Sequence, residues 1–304
     1  DTFSLFVQHM GFFSFLPCCK SKEVVEHSNV NPQNKMQPAG RQQVKDFRPE
    51  WLDQPAKNFR YLTSHNTYLT GLQFGPGSCK PEGVVTALEK GARCIELDVF
   101  CADFQGGDFK PVVTHGIAQE ANDIKVTGAE PFEDFIKMIK NHGWKGTEHP
   151  LFLMIENNTC YSEECGDAMA EILKRHIPEN RMLPGKTNVN NMPLRDLMGK
   201  LIIINGHSSN GAWDHVWHME DVEPYMNNNS AGDDPKTWPG RKGERMSRIY
   251  PATDMAGHFS RNFDPTPWVG KANFCAMNLQ TEDANLKKYL KVFETCNIQL
   301  KEGM

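Results

Sequence analysis

The chain has 304 residues, 39% of them hydrophobic and 23% charged, with a formal net charge of −5. That length buries a sizeable core in one large domain or two small ones, and the slightly acidic balance excludes a nucleic-acid binder, which needs a net basic footprint. Nine irregularly spaced cysteines with no CxxC pair argue against a disulfide framework or a zinc site and for a reducing, intracellular chain.

No stretch reaches the roughly 20 apolar residues of a membrane-spanning helix. Residues 1–50 read as an N-terminal extension. Its apolar part, Phe3 to Pro17, has neither a basic n-region nor a cleavage site and makes a poor signal peptide. Read from Met10, the chain opens MGFFSFLPCCKSK, with Cys18 and Cys19 beside Lys20 and Lys22. Two acyl chains next to basic residues form a double anchoring signal, although Phe15 stands where myristoylation wants Ser or Thr. The plainer alternative is a disordered leader. From Glu26 to about Glu50 the composition is polar and aperiodic, as in a linker.

The texture then changes to short apolar, β-branched runs at 60–64, 94–100, 111–115, 151–156 and 201–204, followed by 247–251 and 273–279 and a further strand near 259–263. Helical spacing lies between them. Phe132, Phe135, Ile136 and Ile139 fall at i, i+3, i+4 and i+7, and Ala168, Met169, Ile172, Leu173 and His176 repeat the pattern after Ser162, a natural N-cap. Alternating strands and helices predict an α/β fold, a distorted β/α (TIM-type) barrel, with an open doubly wound sheet second. No GxGxxG follows an early strand, which weakens the second option.

Chemistry-bearing residues gather where strands end: His65 and Asn66 after the first, Glu96 and Asp98 on the second, His115 closing the third, Glu156 closing the fourth. In a β/α barrel that rim is the catalytic face. The i, i+2 spacing puts Glu96 and Asp98 on one side of their strand, opposite Ile95, Leu97 and Val99. Carboxylates that close repel unless a cation lies between them, and with Glu156 and Asn66 they make a hard oxygen set suited to Ca²⁺ or Mg²⁺.

The runs YLTSHNTYL (61–69), GARCIELDVF (91–100), THG (114–116) and IEN (155–157) resemble the X half of eukaryotic phosphoinositide-specific phospholipases C, and residues 247–281, opening with SRIYP, resemble the Y half. The resemblance implies an X half over 51–211, an acidic X–Y linker over 212–246 and a Y half over 247–304. It implies a phosphodiesterase that cleaves inositol phospholipids through a cyclic intermediate. Asn66, Glu96, Asp98 and Glu156 would hold Ca²⁺, with Glu156 or Glu96 as base. His65 would stabilise charge at phosphorus, His115 would protonate the leaving oxygen, and Arg248 and Tyr250 would read the headgroup. A cytoplasmic protein, peripheral at an inositol phospholipid membrane and without a nucleic-acid partner, follows; no protein regulator is indicated. Alternatives are a catalytically silent lipid-binding scaffold and a glycerophosphodiesterase-like barrel.

Two departures stand out. The lysine pair the family carries after the fifth strand has no counterpart in GKLIIINGHSS (199–209), and no serine ahead of SRIYP matches the headgroup serine. Lys242 and Lys271 are possible substitutes. The stretch 212–234 contains six acidic residues and no lysine or arginine. It reads as a flexible loop able to cover the site, or as a plain solvated one. No EF-loop signature occurs, so membrane contact would fall to the N-terminal segment, a partner, or apolar rim residues Leu69, Leu72, Phe74 and Trp268.

Overall fold

The computed structural model describes residues 47–301 apart from 72, 74, 76, 105–107, 118–123, 126, 160–161, 206–211, 214–218, 221–222, 228–244 and 252–259. The leader, Cys18 and Cys19, and rim candidates Leu72 and Phe74 lie outside the described residues, as does Lys242.

Among the described residues, eight parallel strand segments follow one another in chain order. The X part supplies β1 (Phe59–Ser64) and β2 (Cys94–Phe104). A side group follows: β3 (Asp108–Val113), β4 (Gly116–Ile117), β5 (Ile124–Lys125) and β6 (Glu130–Pro131). The parallel series resumes with β7 (Leu151–Asn158), β8 (Leu201–Asn205), β9 (Met219–Glu220), β10 (Glu223–Asn227), β11 (Ser247–Pro251) and β12 (Phe274–Met277). The order is β10-β11-β12-β1-β2-β7-β8-β9, so the last of these strands lies beside the first. Adjacent placement of first and last strands is the mark of a barrel; a doubly wound sheet would reverse direction in mid-sheet. Among the described residues no ladder joins β9 to β10. An outer strand, β13 (Ile298–Leu300), runs antiparallel to β1.

Helices cover the outside: α1 (Glu82–Glu89), α2 (Phe132–His142), α3 (Glu163–His176) and, late in the chain, α5 (Ala284–Val292), whereas α4 (Leu194–Leu197) packs Leu194 and Leu197 into the inner cluster with Tyr61 and Phe152. The spacing read for α2 is met: Phe132, Phe135, Ile136 and Ile139 are its buried residues. Ser162 caps α3 by accepting from the Cys165 N–H, as its sequence position predicts. Gly83 in α1 has no room for a side chain; a Cβ there would lie 2.3 Å from the Thr67 carbonyl oxygen. Its absence lets α1 press against the turn that carries His65 and Asn66.

Strand alternation sorts the core into two layers. Leu62, Ile95, Leu97, Val99, Leu153, Ile155 and Ile203 pack outward against the helices. Tyr61, Cys94, Phe152, Met154, Ile202, Ile204 and Phe274 pack together on the other side of the sheet. There Tyr61 lies 4.7 Å from Phe152 and 5.5 Å from Phe274, centroid to centroid, and the aromatic plug floors the barrel below the carboxylates.

Five expectations are corrected. The 111–115 run is no barrel strand: β3 returns antiparallel to β2, with Val113 opposite Val99, because Gln105-Gly106-Gly107 separate the strands by a hairpin-length gap. Of the strand expected near 259–263, residue 259 lies outside the described residues and 261–263 belong to no strand; Asn262 instead uses its side chain to brace residues 278–283. The 212–234 stretch is not wholly a loop, since β9 pairs with β8 and β10 pairs with β11. Cys101 and Cys165 form a disulfide between β2 and α3, against the expectation of none; cysteine spacing along a chain says nothing of which strands and helices meet. Leu69 and Trp268, offered as membrane-facing, are buried in the core.

Candidate active site

β1 ends in His65, and the chain turns through Asn66 at φ 45°, a left-handed conformation that asparagine tolerates better than most side chains. The turn points the Asn66 backbone N–H at Glu96 Oε2, 3.0 Å away. The His65 ring is fixed from behind, since Nδ1 lies 2.9 Å from the Asn278 side-chain carbonyl and must donate to it. Nε2 is left facing Glu96 Oε2 at 3.8 Å. Asn278 is itself held by Ser260, whose backbone N–H donates to Gln73 Oε1 at 2.8 Å. Asn278 carries no mark in the sequence beyond its place at a strand end, and its role was missed.

β2 presents Glu96 and Asp98 on the side away from Leu97 and Val99. On β7 the residue opposite Asp98 is Glu156. One oxygen from each of Glu96, Asp98 and Glu156 lies within 4.8 Å of the others. Asp98 Oδ2 accepts from the Tyr68 hydroxyl at 2.5 Å, while Oδ1 is buried with no hydrogen-bond partner. His115 arrives by the β3 hairpin; the Thr114 N–H donates to the Asp98 carbonyl oxygen, and His115 Nδ1 comes within 3.0 Å of the Tyr68 hydroxyl. Tyr68 lies inside the quoted SHNTYL run but was given no role there. From β11, Arg248 ion-pairs with Glu96 Oε1 and lies over the Tyr250 ring at 4.8 Å.

The charges divide unequally. Burial pushes the Glu96 carboxyl up, but Arg248, His65 and the Asn66 N–H together outweigh it and hold the group below its ordinary range. Glu156 goes the other way: Asp98 beside it, then burial and Glu96, push it up to about 8 against the pull of Arg248. Burial, reinforced by Arg248, draws His65 down despite Glu96 and Asn278. The Tyr68 phenol is driven well above its usual value by burial and by Asp98, which keeps it protonated and donating.

An all-oxygen triad with an orphaned carboxylate oxygen fits a hard divalent cation: a cation would satisfy Asp98 Oδ1 and relieve the repulsion that Glu156 otherwise meets by keeping a proton. The sequence profile of the family described as phosphatidylinositol-specific phospholipase C, X domain, matches residues 52–207, just over half of the chain.

The chain belongs to that family.

Human 1-phosphatidylinositol 4,5-bisphosphate phosphodiesterase beta-4 is 35% identical over 162 residues, which are 51% of this chain and 13% of that protein. The bovine delta-4 enzyme of the same name is 28% identical over 159 residues, 50% of this chain and 18% of its own length. The chain therefore spans much less than two thirds of these curated relatives. Among solved structures, L. pealei PLC21 superposes with a TM-score of 0.68 at 21% identity, covering 89% of this chain and 39% of that one. A calcium-dependent phosphoinositol-specific phospholipase C from Pseudomonas sp reaches 0.53 at 14% identity, covering 86% of this chain and 99% of that one. These likenesses establish the phospholipase C barrel as the fold.

Proposed function

We propose that the chain is a calcium-dependent phospholipase C that cleaves inositol phospholipids to diacylglycerol and inositol phosphates through a cyclic phosphodiester. The observation that carries this reading is the convergence of Glu96, Asp98 and Glu156 between His65 and His115. Asn66, Glu96, Asp98 and Glu156 would hold the cation; bound there, Ca²⁺ supplies Lewis acidity toward the inositol 2-hydroxyl and a phosphate oxygen.

Glu156 is the better placed base. Glu96 has its oxygens engaged by Arg248 and the Asn66 N–H, whereas Glu156 Oε1 accepts from the Asn158 amide at a long 3.4 Å. The 2-oxygen then attacks phosphorus. His65, whose Nδ1–H is committed to Asn278, meets the phosphoryl oxygens through Nε2, and their negative charge favours the protonated ring. His115 gives its proton to the departing diacylglycerol oxygen, and the same groups act in reverse when water opens the cyclic ester. Arg248 and Tyr250 receive the ring, arginine through its planar fork and tyrosine through its face.

The substrate places the protein at a membrane surface. Among the described residues no helix is long and apolar enough to cross one, so the contact we infer is peripheral. A cytoplasmic site stands against the Cys101–Cys165 disulfide, since disulfides persist mainly in oxidising compartments; the redox state of that pair in cells decides the compartment. The function is tested by hydrolysis of phosphatidylinositol and its mono- and bisphosphates in vesicles, with Ca²⁺ and with chelator. Ca²⁺-dependent release of inositol phosphates is expected, and no cleavage of any lipid removes the reading.

A further inference from the structure

Tyr68 stands between a carboxylate and a histidine that do not reach each other. His115 Nδ1 and Asp98 Oδ2 are 3.8 Å apart, beyond hydrogen-bond range. The Tyr68 hydroxyl closes that gap, 2.5 Å from Asp98 Oδ2 and 3.0 Å from His115 Nδ1. All three side chains are largely shielded, Tyr68 completely so. The phenol and imidazole rings lie tilted by 36°, their centroids 6.4 Å apart.

The proton count leaves one arrangement. A phenol has a single proton, and a carboxylate oxygen can only accept. The short contact to Asp98 therefore takes the Tyr68 proton, and the phenol oxygen faces His115 as an acceptor. Nδ1 of His115 must then be the donor and carry hydrogen. In the neutral ring Nε2 is left as the basic nitrogen, and in the protonated ring Nε2 holds the proton that can be given away.

We infer that Tyr68 is a positioning residue for the general acid, relaying Asp98 to His115 and fixing the Nδ1–H tautomer so that Nε2 delivers the proton to the leaving oxygen. The inference rests on the phospholipase reading and adds to it a residue whose hydroxyl touches neither substrate nor reacting atoms. It also assigns Asp98 two separate duties. Oδ2 serves the phenol and so the acid, while Oδ1, which has no hydrogen-bond partner, stays available to a cation. The metal-ligating group and the proton donor are thus linked through one aromatic side chain.

Tyr68→Phe removes the hydroxyl and leaves the ring. With phosphatidylinositol, whose leaving group is an alkoxide, kcat should fall about ten- to a hundredfold with KM little changed, because the loss lies in proton delivery. An inositol phosphodiester with a phenolate leaving group needs little protonation, so its turnover should fall by less than about threefold. A part that was merely structural would lower both alike. Nitrogen-15 spectra of histidine-labelled protein give a readout independent of turnover: wild-type His115 should show the Nδ1–H tautomer, and Tyr68→Phe should lose it. Equal losses on both substrates in a variant that still melts as wild type does would overturn the inference. A wild-type protein that cleaves both substrates but shows His115 as the Nε2–H tautomer would overturn the relay alone. One that shows the Nδ1–H tautomer yet cleaves neither substrate would overturn the phospholipase reading, and the acid role with it.

Discussion

Asp98 and Glu156 are direct partners across the parallel β2–β7 ladder, and Asp98 is the largest cause of the rise in the Glu156 pKa to about 8. Asp98→Asn and Glu156→Gln should each weaken Ca²⁺ binding by about a hundredfold in calorimetric titration, since each removes one of few charged oxygen ligands. The fold should survive both. A wild-type turnover untouched by chelator would refute the metal assignment.

The same carboxyl sets a pH dependence in Ca²⁺-free protein. Its folded pKa of about 8 lies above the ordinary 4.5, so between those values the folded chain holds a proton that the unfolded chain has lost. This contribution is fully present below pH 4.5 and disappears as pH rises through 8. Melting curves from pH 6 to 8.5 should fall less steeply for Glu156→Gln than for wild type, and saturating Ca²⁺ should flatten the wild-type curve.

His149 has the opposite sign. Buried, with Nδ1 2.6 Å from Asn297 Oδ1, it is lowered from 6.5 to about 4, burial being the main cause and Arg93 assisting. The unfolded chain takes up a proton below pH 6.5 that the folded one refuses, so stability present above pH 6.5 is lost as pH falls towards 4. The full loss is about 3 kcal/mol at 1.36 kcal/mol per unit. Urea midpoints at pH 7 and 5 should differ less in His149→Gln than in wild type.

Under the proposed roles, His65 and His115 should separate by leaving group. His115→Ala should be damaged much less on a phenolate-leaving substrate than on a lipid, whereas His65→Ala should suffer on both, because charge at phosphorus develops whatever departs. Equal patterns for the two variants would contradict the division of roles.

The disulfide joins residues 64 apart in sequence. Breaking it with Cys101→Ser should cost about 2–4 kcal/mol, chiefly by freeing the unfolded chain, and should lower the melting temperature in the absence of reductant. An unchanged melting temperature would mean that the bond is not formed in solution.

A lysine introduced at Asn205 tests the headgroup departure. Asn205 is buried, and its side-chain oxygen accepts from the Trp213 indole N–H at 3.2 Å. Asn205→Lys should therefore destabilise the protein by about 1–3 kcal/mol, since it removes the indole's acceptor and buries an ammonium group. Wild type should discriminate only modestly between phosphatidylinositol and its bisphosphate. A preference above about a hundredfold, beyond what one or two charge-assisted hydrogen bonds supply, would show that other cations read the ring phosphates.

Much of this was legible in the linear order of residues. Period-2 alternation put Glu96 and Asp98 opposite Ile95, Leu97 and Val99, and period-3.6 spacing marked α2 and α3, the latter with its serine cap, because the side-chain direction in a strand or helix is a local property of the backbone. The signatures around His65, Glu96, His115 and Glu156 carried the family. What the sequence could not decide was pairing. That β3 folds back on β2, that Glu156 rather than another carboxylate faces Asp98, that Cys101 meets Cys165, and that Tyr68 fills the gap between Asp98 and His115 all depend on strands and helices far apart in the chain. Such contacts are set by register and packing, which are cooperative over the whole barrel and leave no spacing for a local pattern to reveal.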